Sequence, residues 1–151
     1  IIVKVDHIQD PHIVGANFRS AECFVVNGVI FSTKSGPSIT PSVAKVSSGA
    51  SEHLPLIATP NLDQAVEKLK MNGFSVYAAA MDKSSSGFST IDYSLKSVLI
   101  LGSEGEGISK SLLKKASSKV YIPMQGKIHS LNVSAAAAVL LAKMTSIAHH
   151  E

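Results

Sequence analysis

Val98-Leu99-Ile100-Leu101-Gly102-Ser103-Glu104-Gly105-Glu106-Gly107-Ile108-Ser109 is the stretch that decides the fold class. Four consecutive aliphatic residues without polar alternation read as a strand buried on both faces, as in a parallel sheet covered by helices. The strand runs directly into a turn containing Gly102, Gly105 and Gly107, where bare backbone can approach a ligand and expose its N–H groups. The turn is not a P-loop, because no Gly-Lys-Ser/Thr follows. Glu104 and Glu106 would repel a pyrophosphate, so a cationic or neutral ligand suits the loop better than a dinucleotide. Taken alone, such a turn is as often an ordinary connection as a binding loop.

Outward from this strand, short β-rich runs alternate with helical patterns. Strands are expected at Ile1–Val5, Gly28–Phe31, Leu56–Ala58, Ser75–Ala79 and Val120–Ile122, and helices at Gly15–Val25, Leu62–Asn72, Lys110–Ala116 and Asn132–Ile147. The helix from Leu62 has Asn61 as cap, Gln64 three residues on, Leu62, Val66 and Leu69 on one face, and Gly73 as terminator. Ser32–Pro41 and Asp82–Tyr93 read as polar connections. The alternation predicts an α/β fold, a mostly parallel sheet with helices on both faces. No repeat or linker divides it, so residues 1–151 read as one domain.

With 45% hydrophobic and 17% charged residues, the composition is that of a packed core and not of a disordered chain. The net charge of +3 permits an anionic partner without demanding one. Aromatics are scarce and Trp is absent, which argues against base stacking on an aromatic platform. One cysteine, Cys23, suits a reducing, cytoplasmic compartment. The longest apolar run, Ala135 to Ala142, is far short of a bilayer span. Ile1 is not an initiator Met and no leader precedes it, as in a fragment whose substrate-binding domain would lie upstream. His7 and His12 lack ligand companions, so no metal site is expected.

Two further segments carry chemistry. Tyr121-Ile122-Pro123-Met124-Gln125-Gly126-Lys127-Ile128-His129-Ser130-Leu131-Asn132-Val133-Ser134 is again a strand ending in a turn, with a helix beginning near Ser130 or Asn132; either residue could simply be the helix cap. Asp10-Pro11-His12-Ile13-Val14-Gly15-Ala16-Asn17-Phe18-Arg19-Ser20-Ala21 holds the only arginine in a chain of thirteen lysines. A planar guanidinium with fixed donors is needed where a carboxylate or phosphate must be gripped, whereas lysine serves solvation equally well.

Together these segments resemble the SPOUT superfamily of knotted methyltransferases, specifically its SpoU-type RNA 2′-O-ribose branch. Its first motif resembles Asp10-Pro11 through Ala21, its second Leu101 through Gly107, and its third Ile122-Pro123-Met124 through Ser134. Lys45 through Pro55 is similar to the family's 23S ribosomal RNA guanosine methyltransferases. The resemblance implies S-adenosylmethionine as methyl donor, a C-terminal deep trefoil knot, an rRNA or tRNA substrate, and a homodimer. It also implies donor contacts from Leu101, Gly102, Gly105, Ile122, Met124, Ser130 and Leu131. Catalytic roles fall to Arg19, Glu104, Ser130 and Asn132, with the arginine facing the donor held by the other subunit.

A carboxylate such as Glu104 can orient the arginine, while Ser130 and Asn132 can hold the hydroxyl and donor in line. Guanidinium has no free lone pair, so Arg19 is read as a clamp on phosphate and developing alkoxide, with the proton's acceptor left open. One departure stands out: Ile13 occupies the place of the family's usual Asn, with Asn17 a helical turn later as a substitute amide out of register. Two alternatives to an enzyme of this branch are a catalytically weak knotted RNA-binding or assembly module and an unrelated nucleotide-binding domain.

Overall fold

A computed structural model describes residues 1–5, 10–34, 45, 47–103 and 106–146. Its strands are β1 (Ile2–Val5), β2 (Gly28–Ser32), β3 (Leu56–Thr59), β4 (Ser75–Ala79), β5 (Ser86–Gly87), β6 (Ser97–Leu101) and β7 (Ser118–Tyr121). The helices are α1 (Pro11–Cys23), α2 (Leu62–Met71), α3 (Lys110–Lys115) and α4 (Val133–Ser146). All seven strands join one sheet in the order β3-β2-β1-β6-β4-β7-β5, and every pairing is parallel.

The apolar run of β6 lies at the centre of that sheet, between β1 and β4, and all five of its residues are buried. Its side chains alternate between two cores. Leu99 and Leu101 join Val3, Tyr77, Phe18 of α1 and Leu140 of α4 on one face. Val98 and Ile100 join Val76, Ala78, Val66 of α2 and Leu112 of α3 on the other. Each buried aliphatic side chain contributes about 1.5–3 kcal/mol of transfer free energy, so this strand anchors both layers. Helices on both faces are as the sequence predicts.

α1 begins earlier than the periodicity suggests. The Asp10 carboxylate accepts from the His12 N–H at 2.9 Å and Pro11 opens the first turn, where a missing N–H costs nothing. Val25, expected as the last helical residue, instead takes a left-handed φ of 52° just past the helix end. α2 matches its signals, the Asn61 side chain accepting from the Gln64 N–H at 3.1 Å. The alanine-rich helix α4 packs on α1, with Ala137 buried in the shared core.

The strand order has a consequence for the site. The chain lays down β4, moves to the edge for β5, then inserts β6 between β1 and β4 and β7 between β4 and β5. Late insertion into the middle of a sheet is unusual for chains that avoid threading, and it is the order compatible with the implied knot. It places the carboxyl ends of β6, β4 and β7 side by side.

Candidate active site

Beyond those three strand ends lies a cleft with two arms, of about 550 and 150 Å³. The larger arm is walled by Leu101, Gly102, Ser103 and Gly107 of the loop after β6 and by residues Ser130 to Val133 at the start of α4. The smaller, more apolar arm runs along Val120, Tyr121, Ile122, Met124 and His129. Ala79, Met81, Ser130, Leu131 and Ala136 line both. The size is that of a pocket for a cofactor-sized ligand, at the place where open α/β sheets bind theirs.

Of the residues expected here, Leu101, Gly102, Ile122, Met124, Ser130, Leu131 and Asn132 all border the cleft. Glu104 and Gly105 lie outside the described residues. Gly102 is needed for a reason other than room for a ligand: a Cβ there would sit 2.5 Å from the Gly107 carbonyl oxygen and 2.7 Å from the Ile108 nitrogen. The loop closes on itself, the Gly107 N–H donating to the Ser103 carbonyl at 2.9 Å, and Gly107 adopts a φ of +67°. The tight turn thus shapes the wall.

Asn132 is the cap of α4. Its side-chain oxygen accepts from the Ala135 N–H at 2.8 Å, which orients the amide and leaves its NH₂ as the group able to donate to a ligand. Ser130 is exposed in the cleft, two residues before. Capping and a role in the site are therefore compatible in Asn132, and the cap is not Ser130.

Arg19 is not brought to the cleft of its own chain. It is exposed on α1, lines neither arm, and makes no ion pair among the described residues. Ile13 is half-buried against the core. Asn17 does not replace the expected amide: it is only 2% exposed, on the inner side of α1, and residues two apart on a helix face opposite ways. Both polar atoms of its amide lack a partner among the described residues, which costs about 1–3 kcal/mol per unsatisfied group.

Ala79 and Met81 were not anticipated as wall residues. Met81 is 76% exposed although apolar, and it stands at the junction of the two arms. A hydrogen-bond network fixes the segment behind it. The Ala80 N–H donates to the Val120 carbonyl (3.1 Å), the Ser85 hydroxyl to the Ala80 carbonyl (2.8 Å), and the Lys119 ammonium to the Asp82 carboxylate (2.8 Å). Lys119, aided by the hydroxyl and N–H of Ser84, holds the Asp82 carboxyl well below the usual carboxylate range. A segment tied to β7 in this way is a fixed wall.

The chain resembles known proteins along nearly its whole length. A Staphylococcus aureus (strain COL) protein named for the TrmH family of tRNA/rRNA methyltransferases is 34% identical over 140 residues, which is 93% of this chain and 56% of that protein. A solved RNA 2′-O ribose methyltransferase is 25% identical, with a TM-score of 0.83 over 97% of this chain and 55% of that one. The SpoU methyltransferase AviRb from Streptomyces viridochromogenes, solved with AdoMet, shares the fold at a TM-score of 0.87 and 22% identity, covering 100% of this chain and 61% of that one. The chain thus spans little more than half of each. No helix among the described residues is long and apolar enough to cross a membrane. With residues 1–142 matching the family model, the chain belongs to the SpoU rRNA methylase family.

Proposed function

We propose that this chain is the catalytic domain of an RNA methyltransferase that transfers a methyl group from S-adenosylmethionine to a ribose 2′-hydroxyl of rRNA or tRNA. The observation that carries the reading is the single cleft into which Gly102, Ile122, Ser130, Leu131 and Asn132 converge from separate turns. Its apolar arm suits a nucleoside base and its larger arm, with Ser130 and the Asn132 amide, suits polar groups. When bound, S-adenosylmethionine would supply an electrophilic methyl group on sulfur. The loop of Gly102 and the segments around Ile122 and Leu131 hold the donor, and Met81 limits access of water.

Asn132 and Ser130 fix the ribose hydroxyl and the donor in line, which lowers the entropic part of the barrier. Arg19 grips the phosphate and stabilises the developing alkoxide. The placement of Arg19 outside its own chain's cleft supports a role in the cleft of a second subunit, with a homodimer as the working unit. Glu104 orients that arginine across the interface.

Titration calorimetry with S-adenosylmethionine, followed by transfer of labelled methyl to rRNA and tRNA and mass spectrometry of the nucleosides, tests the reading. The expected product is one 2′-O-methylated nucleoside. A base-methylated nucleoside overturns the ribose assignment, and absence of donor binding overturns the whole. Donor binding without transfer to any RNA would favour the weak RNA-binding module, for which Ile13 and the buried Asn17 amide are the specific support.

A further inference from the structure

We propose that Lys83, Lys110 and Lys127 form a basic collar around the mouth of the cleft that grips the phosphodiester backbone of the RNA. The inference deepens the RNA methyltransferase reading and rests on it.

Each of these lysines is close in the chain to a residue of the cleft wall. Lys83 is two positions past Met81, Lys110 three past Gly107, and Lys127 two before His129. Three residues of chain span at most about 10 Å, and a lysine adds a flexible four-carbon stem. The three come from the segments after β4, β6 and β7, the same strands whose ends frame the cleft. All three are exposed and have no ion-pair partner among the described residues.

Other lysines are differently placed. Lys115 pairs with Glu67 at 3.0 Å, Lys119 with Asp82 at 2.8 Å, and Lys96 donates to the Asn72 carbonyl at 2.7 Å. In the described parts of the three framing segments the carboxylates are Asp82, already neutralised by Lys119, Asp92 and Glu106. Among the described residues of these segments, lysines therefore outnumber carboxylates. Lys110 is the first residue of α3, whose N-terminus has no side-chain cap. A cation there opposes the helix dipole at a local cost of about 0.3–1 kcal/mol, so local stability does not explain it. An approaching polyanion does, since each phosphate that is neutralised releases counterions.

The test compares two charge-matched triple variants. One is Lys83→Gln/Lys110→Gln/Lys127→Gln, and the control, away from the cleft mouth, is Lys68→Gln/Lys70→Gln/Lys114→Gln. Binding of bulk tRNA is measured across a salt series, with donor affinity and melting temperature as checks on folding. The collar variant is expected to lose about tenfold or more in RNA affinity at 0.15 M salt. Its log–log salt slope should become shallower by about 2, as for three lost phosphate contacts. Donor affinity should stay at the wild-type value, and the control should bind RNA as wild type does. Equal loss in both variants, or an unchanged slope in the collar variant, overturns the collar alone. If the wild-type protein binds the donor but no RNA, the methyltransferase reading fails with it. Should the triple variant fold poorly, the three single variants replace it, each with an expected slope change of about 0.7.

Discussion

The cleft and the Arg19 helix are built in opposite ways. The described walls of the cleft come from one chain: three neighbouring strand ends, a self-closed glycine turn and a capped helix. Arg19 has no such setting, standing exposed on the outside of α1. A binding pocket that relies on backbone shape can be provided by one fold unit. A permanently charged group meant for a transition state stays solvated until a partner surface and an anion arrive, because burying it unpaired would cost several kcal/mol. The contrast fits the proposed division, in which one subunit would bind the donor and the other would supply the charge.

The largest expected effect tests the Arg19 side of that contrast. Arg19→Lys keeps the charge but loses the planar fork of donors. Methyl transfer should fall by at least about a hundredfold, the scale of losing one preorganised donor, with donor affinity nearly unchanged by calorimetry. Equal losses in both would make Arg19 a donor contact and overturn its role toward the RNA alone. Mixing Arg19→Lys subunits with Glu104→Ala subunits sharpens the test. Heterodimers, confirmed by native mass spectrometry, should contain one intact site and recover activity if the site is shared.

The next effect tests the cleft side. Gly102→Ala introduces a methyl group into the space occupied by the Gly107 carbonyl, and overpacking of this kind costs about 1–3 kcal/mol. The loop must open, so donor affinity should drop by about tenfold or more, with a lower melting temperature. A normal dissociation constant in this variant would show that the turn is not a wall of the pocket.

How legible this was in the sequence depended on whether the signal was local. β6 was readable because burial on both faces leaves an unbroken apolar run, and α2 because its cap and terminator are sequence features. The start of α1 was also written locally, in the Asp10–Pro11 cap, but a reading based on apolar spacing alone placed it too late. β5 had no local signal: two residues, Ser86 and Gly87, become a strand only by pairing with β7. Nothing local gives the insertion of β6 and β7 into the sheet, and so Ala79 and Met81 could not be read as cleft wall. Gly102 was legible as indispensable, although its reason is contact with its own loop. The singular Arg19 stood out in the sequence by residue type, whereas its exposed place on α1, away from its own chain's cleft, had no local signal.

The smallest effect concerns what holds the cleft's β4 wall in place. The connection from Met81 to Lys96 is pinned at its far end by two tyrosines of the core. The Tyr93 hydroxyl donates to the Phe88 carbonyl at 2.7 Å, the Tyr77 hydroxyl accepts from the Ser94 N–H at 3.0 Å, and the rings meet edge to face at 5.0 Å. Burial, with a smaller contribution from Tyr77, pushes the Tyr93 phenol up to about 12 from its ordinary 10. The folded protein therefore keeps this proton at a pH where the unfolded chain has lost it. The stability tied to Tyr93 is full below pH 10 and declines as pH rises from 10 to 12. Tyr93→Phe should remove this group's share of the alkaline decline and lose about 1 kcal/mol at neutral pH, the net value of one hydrogen bond. Urea unfolding at pH 7 and at pH 10.5 measures both, and donor affinity at pH 7 should barely change because the Ala80–Val120 and Asp82–Lys119 ties still hold the wall. A large loss of donor affinity in this variant would show that the wall is held from the tyrosine end, and that the cleft depends on the core more than on its own local network.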